Sequence, residues 1–260
     1  MKKYKWQVPK YRVIFFKKKH KKNILIIPVI NEGRRLKKLL EKIKNSKIGK
    51  RTDIIIIDGG STDNSVKKVE LKKIISGLIL KIDTGKLGSQ LRCAYDFALK
   101  KNYKNIITID GNNKDDPVYV KNFIQELDNG FDFVQASRFI KGGKSINTPL
   151  LRLIAIRLMH APIVSFFSGF KWTDTTQGFR GYSSRLLNSE KIKIFRNDFI
   201  DYELLIYLSY ISPKYFNCKE IPTVRRYPKK NIPTKITPFV GNLNILISLI
   251  KTCLGKYNCE

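Results

Sequence analysis

The sequence predicts an α/β protein with a mostly parallel central sheet flanked by helices, and three observations carry that prediction. Short β-rich runs alternate with longer helical patterns through the first half of the chain, the signature of βαβ units. Three of those runs end in an acidic residue followed by loop-forming residues. The 260 residues, 42% of them hydrophobic, suffice for one substantial core.

The elements follow in order. Residues 23–30 are a continuous apolar run, a buried strand that ends in Asn31 and Glu32. Leu36, Leu39, Leu40 and Ile43 then share one face at helical spacing, so a helix follows. Residues 53–57 form a second strand ending at Asp58, where Gly59 and Gly60 break the run and Ser61 and Thr62 offer caps for the next helix. Residues 78–82 read as a third strand, 87–100 as a helix, and 105–109 as a fourth strand ending at Asp110. A fifth strand, 131–136, leads into Ser137 and Arg138.

Beyond it the pattern changes. A flexible basic loop at 141–144 precedes an amphipathic segment that sets Arg152 and Arg157 among Leu, Ile and Met. A polar run at 173–182, a helix at 199–210, a Pro-punctuated basic stretch at 221–238 and an apolar helix from about 240 to 254 complete the chain. No repeat or low-complexity linker divides it. The expected organisation is a basic extension over 1–22, one domain over 23–240, and a C-terminal helix within 241–260 that packs on the domain or lies at a membrane surface.

Composition narrows the partners. Lys and Arg number 51 against 21 Asp and Glu, a formal charge of +30 that draws the chain toward polyanions: nucleic acid, an anionic membrane or phosphorylated substrates. The lysines are spread in ones and twos rather than gathered in one block, so part of the excess is a general preference for Lys. Cys93, Cys218, Cys253 and Cys259 contain no CxxC pair, which argues against zinc, and such sparse cysteine suits a reducing cytosol. His20 and His160 are the only histidines, too few for a histidine-centred metal site or triad. Residues 1–22 lack the uninterrupted apolar region of a signal peptide. The apolar stretch 150–170 is broken by Arg152, Arg157, His160 and Pro162, and 239–250 is short, so neither reads as a span. The expectation is a cytoplasmic protein, soluble or peripheral at the inner face of the membrane.

In open α/β sheets, ligands sit outside the carboxyl ends of the strands, where Glu32, Asp58 and Asp110 fall. The motifs there are IPVINEG at 27–33, DGGSTDNS at 58–65 and TIDGNNKDDP at 108–117. They resemble the donor-binding loops of family 2 glycosyltransferases, which have the GT-A fold, a Rossmann-like nucleotide-diphospho-sugar transferase architecture. SRF at 137–139, DTTQGFRGYS at 174–183, YELL at 202–205 and PTKI at 233–236 extend the likeness to the dolichol-phosphate mannose synthase and bacterial polyprenyl-phosphate glycosyltransferase branch.

That resemblance implies inverting transfer of a sugar from a nucleotide-sugar donor to a polyprenyl phosphate or a growing cell-surface glycan. It assigns donor binding to Pro28, Asn31, Glu32, Asp58, Gly60, Ser61, Asp110, Gly111, Asn112 and Lys235. Among these, Asn31, Glu32 and Asp58 would contact the nucleoside, and Asp110 with Asn112 would hold Mg²⁺ or Mn²⁺ on the diphosphate. The family's DxD signature is here Asp110-Gly111-Asn112, with Lys114 two residues further on, which removes one carboxylate from the expected metal site; Lys114 could contribute part of the positive charge there, while Asp115 and Asp116 could offer replacement carboxylates. Arg138, Arg152, Arg157 and Arg180 are the candidates for gripping an acceptor phosphate, since a guanidinium fork matches phosphate oxygens. A phosphate acceptor needs no general base. A hydroxyl acceptor does, and Asp174 is then the candidate, with Arg138 and Asp174 the catalytic pair. Two other readings remain at this point: a nucleotidyltransferase of similar fold, and a basic nucleic-acid-binding protein, against which the acidic strand ends argue.

Overall fold

The isoleucine-rich run that begins at Asn23 becomes the middle of an eight-stranded sheet, because every residue of it is buried and only a strand covered on both faces can achieve that. In the computed structural model, which describes residues 6–66, 71–229 and 240–257, the strands are β1 (Tyr11–Phe16), β2 (Asn23–Val29), β3 (Asp53–Asp58), β4 (Gly77–Lys81), β5 (Asn105–Thr108), β6 (Phe133–Ser137), β7 (Lys144–Ile146), β8 (Arg180–Ser183), β9 (Cys218–Pro222) and β10 (Val224–Arg226). The helices are α1 (Arg34–Asn45), α2 (Leu71–Ile74), α3 (Leu87–Lys100), α4 (Val120–Asp128), α5 (Leu150–Ile154), α6 (Ala161–Ser168), α7 (Ser184–Leu187), α8 (Glu203–Ile211) and α9 (Val240–Cys253).

The sheet order is β1-β4-β3-β2-β5-β8-β6-β9, with β10 and β7 forming a separate parallel pair. Strands β4, β3, β2 and β5 run parallel. Alternate residues of β2 feed two cores: Ile24 and Ile26 pack with Ile55 and Ile57 on the α3 and α8 side, while Leu25, Ile27 and Val29 pack with Leu36, Leu39, Leu40 and Ile43 of α1. Each such fully buried aliphatic side chain contributes about 1.5–3 kcal/mol by leaving water. Because β2 is flanked by β3 on one side and β5 on the other, successive crossovers leave it in opposite directions. The crevice this opens at the carboxyl ends of β2 and β5 is where Asn31, Glu32 and Asp110 emerge.

Strands β2 to β6 and helices α1 and α3 follow the sequence reading to within a residue or two, whereas Ser61 and Thr62, expected to cap a helix, begin a run of turns over 61–66, and α2 is described at Leu71–Ile74. Three larger features depart from it. Residues 11–16, read as part of an extension, are an edge strand paired antiparallel with β4. Trp6 stacks on Phe195 with ring centroids 3.7 Å apart and donates its indole N–H to Asp96, so this aromatic is docked on the protein. The polar run 173–182 ends in β8, which inserts antiparallel between β5 and β6. Its RGYS sequence hides the strand because the Arg180 side chain is buried in place of an apolar one.

The third departure is the segment 150–168. Helix α5, a π-helical stretch Ala155–His160 and α6 form one continuous 19-residue helix, Leu150–Ser168, with a mean hydropathy of 1.6. By length and composition it is apolar enough to cross a membrane, although the sequence reading excluded it. Only 17% of it is buried. Ile156, Ala161, Val164 and Ser168 face the protein, whereas Leu151 is 81% and Phe166 82% exposed.

Candidate active site

The first two loops of the site are tied to each other by short polar side chains. Asn31 adopts a left-handed backbone, φ 51°, which Asn tolerates better than most residues. Its Oδ1 accepts from the backbone N–H of Thr62 (2.8 Å) and of Asp63 (3.3 Å), and its own N–H donates to Ser61 Oγ at 3.0 Å. Asp58 Oδ1 accepts from the Ser61 N–H (3.0 Å) and hydroxyl (2.7 Å). Beneath them the Gln90 amide donates to the carbonyls of Val29 and Ile57, the last turns of β2 and β3. Glu32 is buried and accepts from Arg35 Nε at 2.8 Å. Asn31, Glu32, Asp58, Gly60 and Ser61 are thus brought together, with Gly60 (φ 96°) exposed at the rim. Pro28 contributes its carbonyl, which accepts from Gly111 N at 3.3 Å and pins the third loop to the first.

The third loop is built around Asp110. Gly111 has no room for a side chain, since a Cβ there would stand 3.0 Å from Pro28 O and 3.1 Å from Val29 Cγ2. Gly178 approaches from the other side, and a Cβ on it would lie 2.3 Å from Asp110 Oδ1. Asp110 Oδ2 accepts from Arg225 Nη2 at 3.1 Å and from Asn112 Nδ2 at 3.4 Å. Asn112 Oδ1 in turn accepts from the Lys114 N–H at 3.1 Å. The other arm of the Arg225 fork bonds Asp115, whose side chain is wholly buried. A β-bridge between Asp115 and Arg225 and the Arg226 N–H donating to Lys114 O hold this loop to β10.

Lys114 is buried, with its ammonium 4.8 Å from the centre of the Tyr227 ring. Burial, with Arg225 beside it, pulls its pKa down to about 8, so it stays charged at neutral pH. Around the Tyr227 hydroxyl stand Arg138 Nη1 (3.4 Å) and Arg152 Nη1 (3.5 Å), and the Arg225 guanidinium lies 5.7 Å from the ring centre. Burial alone would push the Tyr227 pKa up, but Arg225, Arg138 and Arg152 outweigh it and bring it down to about 8. The structure therefore gathers four cationic side chains about one tyrosine.

Asp174 is fully buried and its oxygens are filled. Arg138 donates to it from Nε (2.6 Å) and Nη2 (2.9 Å), and Gln177 donates at 2.6 Å. Burial would raise its pKa, but the Arg138 ion pair prevails and holds it below the ordinary carboxylate range. A carboxylate so engaged and so deep is a support for Arg138, not a base for an acceptor hydroxyl, and the sequence expectation is corrected accordingly. Glu220 supports Asp174 in turn, accepting from the N–H groups of Thr173 and Asp174.

Of the four arginines expected on an acceptor phosphate, the structure brings Arg138 and Arg152 together at Tyr227. Arg157 is exposed nearby, 5.6 Å from the Phe139 ring that also underlies Arg138. Arg180 is elsewhere: it is wholly buried and donates to the carbonyls of Gln177, Thr175 and Leu205, so its guanidinium braces β8 against α8 and is not offered to a ligand. Glu203 accepts from Asp201 N at the start of α8. Lys235 lies outside the described residues. Arg225 and Tyr227 fall in the basic stretch 221–238, from which the sequence reading above placed only Lys235 at the site, and Gly178 and Gln90 were given no role. For Arg225 and Tyr227 the available signal was a basic, aromatic stretch far from the acidic strand ends. Gln90 and Gly178 carry no signal, because they act through contacts that only the fold creates.

A sheet with this order, its crevice lined by acidic loops on one side and arginines on the other, defines a nucleotide-diphospho-sugar type of α/β fold. The model of Glycosyl transferase family 2 matches residues 24–195, and the chain belongs to that family. It is 25% identical over 232 residues to a dolichyl-phosphate hexose transferase of Haloferax volcanii, a match covering 89% of this chain and 94% of that protein. It is 23% identical over 177 residues to a polyprenol monophosphomannose synthase of Mycolicibacterium smegmatis, covering 66% of this chain and 65% of that one. Among solved structures, glucosyl-3-phosphoglycerate synthase of Mycobacterium tuberculosis, crystallised with Mn²⁺, UDP and phosphoglyceric acid, superposes with a TM-score of 0.58 at 17% identity over 90% of this chain and 78% of that one. The fold is GT-A, and the protein is a glycosyltransferase of the hexosyltransferase type.

Proposed function

We propose that this enzyme transfers a hexosyl unit, with inversion, from a nucleoside-diphosphate sugar to a polyprenyl phosphate at an anionic membrane surface. The observation that carries the reading is the pair Arg138 and Arg152 at the Tyr227 hydroxyl, linked by Arg225 to Asp110 and set at the foot of an exposed apolar helix. Such a cluster suits a phosphate monoester, whose oxygens accept several charge-assisted hydrogen bonds. It also makes a base unnecessary. The acceptor oxygen is already ionised, attacks the anomeric carbon on the face opposite the leaving nucleoside diphosphate, and forms the new C–O bond as the old one breaks. With Asp174 sealed beneath Arg138, the phosphate acceptor is favoured over a glycan hydroxyl. The names of the Haloferax and Mycolicibacterium relatives agree with it.

On the donor side, the loops of Asn31, Glu32 and Asp58 face the nucleoside and the Asp110 loop faces the diphosphate. A divalent cation held by Asp110 and Asn112 is the expectation the family brings, and the M. tuberculosis structure contains Mn²⁺. The donor set in this chain does not fit that ion: one carboxylate oxygen already paired with Arg225, one amide already bonded to a backbone N–H, and an ammonium close by.

The lipid reaches the cluster along helix Leu150–Ser168. Arg152 ties this helix to Tyr227, and α9, which packs against α6, carries the exposed Leu243 and Ile250 and is followed by the exposed Leu254. An interfacial helix with basic residues at its polar edge is held by apolar insertion and by anionic headgroups together. The test is transfer of labelled hexose from a panel of nucleotide sugars into vesicles containing polyprenyl phosphate. Lipid-linked, mild-acid-labile product is expected, and equal transfer to the corresponding polyprenol alcohol would overturn the acceptor assignment.

A further inference from the structure

A carboxylate pair closed by a divalent cation is electrically neutral, and here two carboxylates are closed by two side-chain cations instead. Asp110 and Asp115 each carry one negative charge and Lys114 and Arg225 each one positive charge, while Asn112 is neutral and Asp116 is exposed. The geometry agrees with the charge count. Asp110 Oδ2 accepts from Arg225 at 3.1 Å, and its Oδ1 occupies the space that a Cβ on Gly178 would take. The carbonyl oxygen of Asn112 points back at the Lys114 N–H. Lys114 itself is buried, with its ammonium held over Tyr227 in the same cluster as Arg225. A divalent ion entering here would have to displace one guanidinium and sit beside an ammonium, repelled by both. Among the described residues no group of three or more His, Cys, Asp or Glu is placed to replace these ligands.

We propose that Lys114 and Arg225 supply the positive charge that binds the donor's diphosphate, so that this chain takes its nucleotide donor without a divalent cation. The proposal rests on the donor reading above. The two side chains divide the task that a metal performs elsewhere. Lys114 is a point charge for the phosphate next to the Asp110 loop, while Arg225 brings a planar fork that its present carboxylate partners keep aligned. The built-in cations also stay when the nucleoside diphosphate departs, whereas a metal leaves with its ligand when its protein ligands are few.

Titration calorimetry with UDP, GDP, CDP and dTDP, each in EDTA and in millimolar MnCl₂, tests this on the whole chain. The expected result is that one of them binds in EDTA within about threefold of its affinity in Mn²⁺. Lys114→Gln should weaken that binding about tenfold or more, the loss of one charge-assisted phosphate contact. The pair Asn112→Asp with Lys114→Gln, which restores the two-carboxylate pattern, should recover binding in Mn²⁺ and not in EDTA. Melting temperatures of both variants establish that they are folded. If the wild-type chain binds about tenfold or more weakly in EDTA than in Mn²⁺, the proposal is overturned while the donor reading stands. If no nucleoside diphosphate binds under either condition, the donor reading itself fails and takes the proposal with it.

Discussion

Removing Arg225 should destabilise this protein more than removing any surface arginine, and neutralising Asp115 with it should cost clearly less than the two changes summed. The Asp115 side chain is fully buried, and Arg225 Nη1 is its one side-chain hydrogen-bond partner among the described residues, since Asp115 Oδ1 has none. Burial holds the Asp115 carboxyl above the ordinary range even with Arg225 alongside. Arg225→Ala therefore strands a buried carboxylate, a change that costs about 3–5 kcal/mol. In the Arg225→Ala/Asp115→Asn pair the amide needs only neutral partners, so the double variant should recover about 2 kcal/mol or more relative to the sum of the singles. Urea unfolding at pH 7.5 measures all four corners of the cycle. The same cycle separates structure from chemistry, because the double variant should regain stability without regaining transfer, having lost the guanidinium the diphosphate needs. Additive destabilisation would refute the ion-pair account, and full transfer by the double variant would refute the role of Arg225 at the donor.

Three further outcomes follow from other parts of the molecule. Gly178→Ala places a methyl 2.3 Å from Asp110 Oδ1, so it should displace that carboxylate and lower transfer by about tenfold or more while costing about 1–3 kcal/mol of stability; unchanged kcat/KM would mean that Asp110 is not where the diphosphate binds. Glu220 has its carboxyl raised from 4.5 to about 7, chiefly by burial, against the opposing hydrogen bonds from Thr173 and Asp174. A raised folded-state value contributes stability that is fully present below the unfolded value and is lost as pH climbs toward and through 7. Glu220→Gln should thus gain about 2–3 kcal/mol relative to wild type between pH 4.5 and pH 8, and parallel stability curves would sink the assignment. Finally, Leu151→Asp with Phe166→Asp removes two side chains each worth about 1.5–3 kcal/mol on burial, and should abolish sedimentation with anionic vesicles; retention at wild-type levels would show that helix Leu150–Ser168 is not the docking surface.

What the sequence revealed depended on how local the signal was. Strands β2, β3 and β5 are buried on both faces and so are continuous apolar runs, and their acidic ends follow at once in the chain. The donor half of the site was legible for that reason. Strand β8 was not, because its largest buried side chain is Arg180, satisfied by three backbone carbonyls that come from 175–177 and from α8. A pattern of hydrophobicity cannot see a charge neutralised by distant backbone. Arg180 and Asp174 were misassigned by the same logic: both look like exposed chemistry in a polar run, and both are interior supports. Segment 150–168 is the reverse case: its charges broke the apolar pattern in the sequence, yet it folds as one helix that leaves Phe166 82% exposed.

The choice of arginine at 225 follows from what one side chain must reach. It spans Asp110, Asp115 and the Tyr227 ring at once, with one arm of the fork to each carboxylate and the guanidinium plane against the aromatic cluster. A lysine ammonium at the same place has comparable charge but no second arm in a fixed direction, so one carboxylate would be left unpaired. Strand β10 delivers this side chain because it is held parallel to β7, immediately after the loop that carries Arg138, and because Asp115 bridges to it from the donor side. One short strand thereby links the arginines at Tyr227 to the loop of Asp110. The two halves of the site, one legible as acidic strand ends and the other scattered through the basic second half of the chain, meet at a single residue.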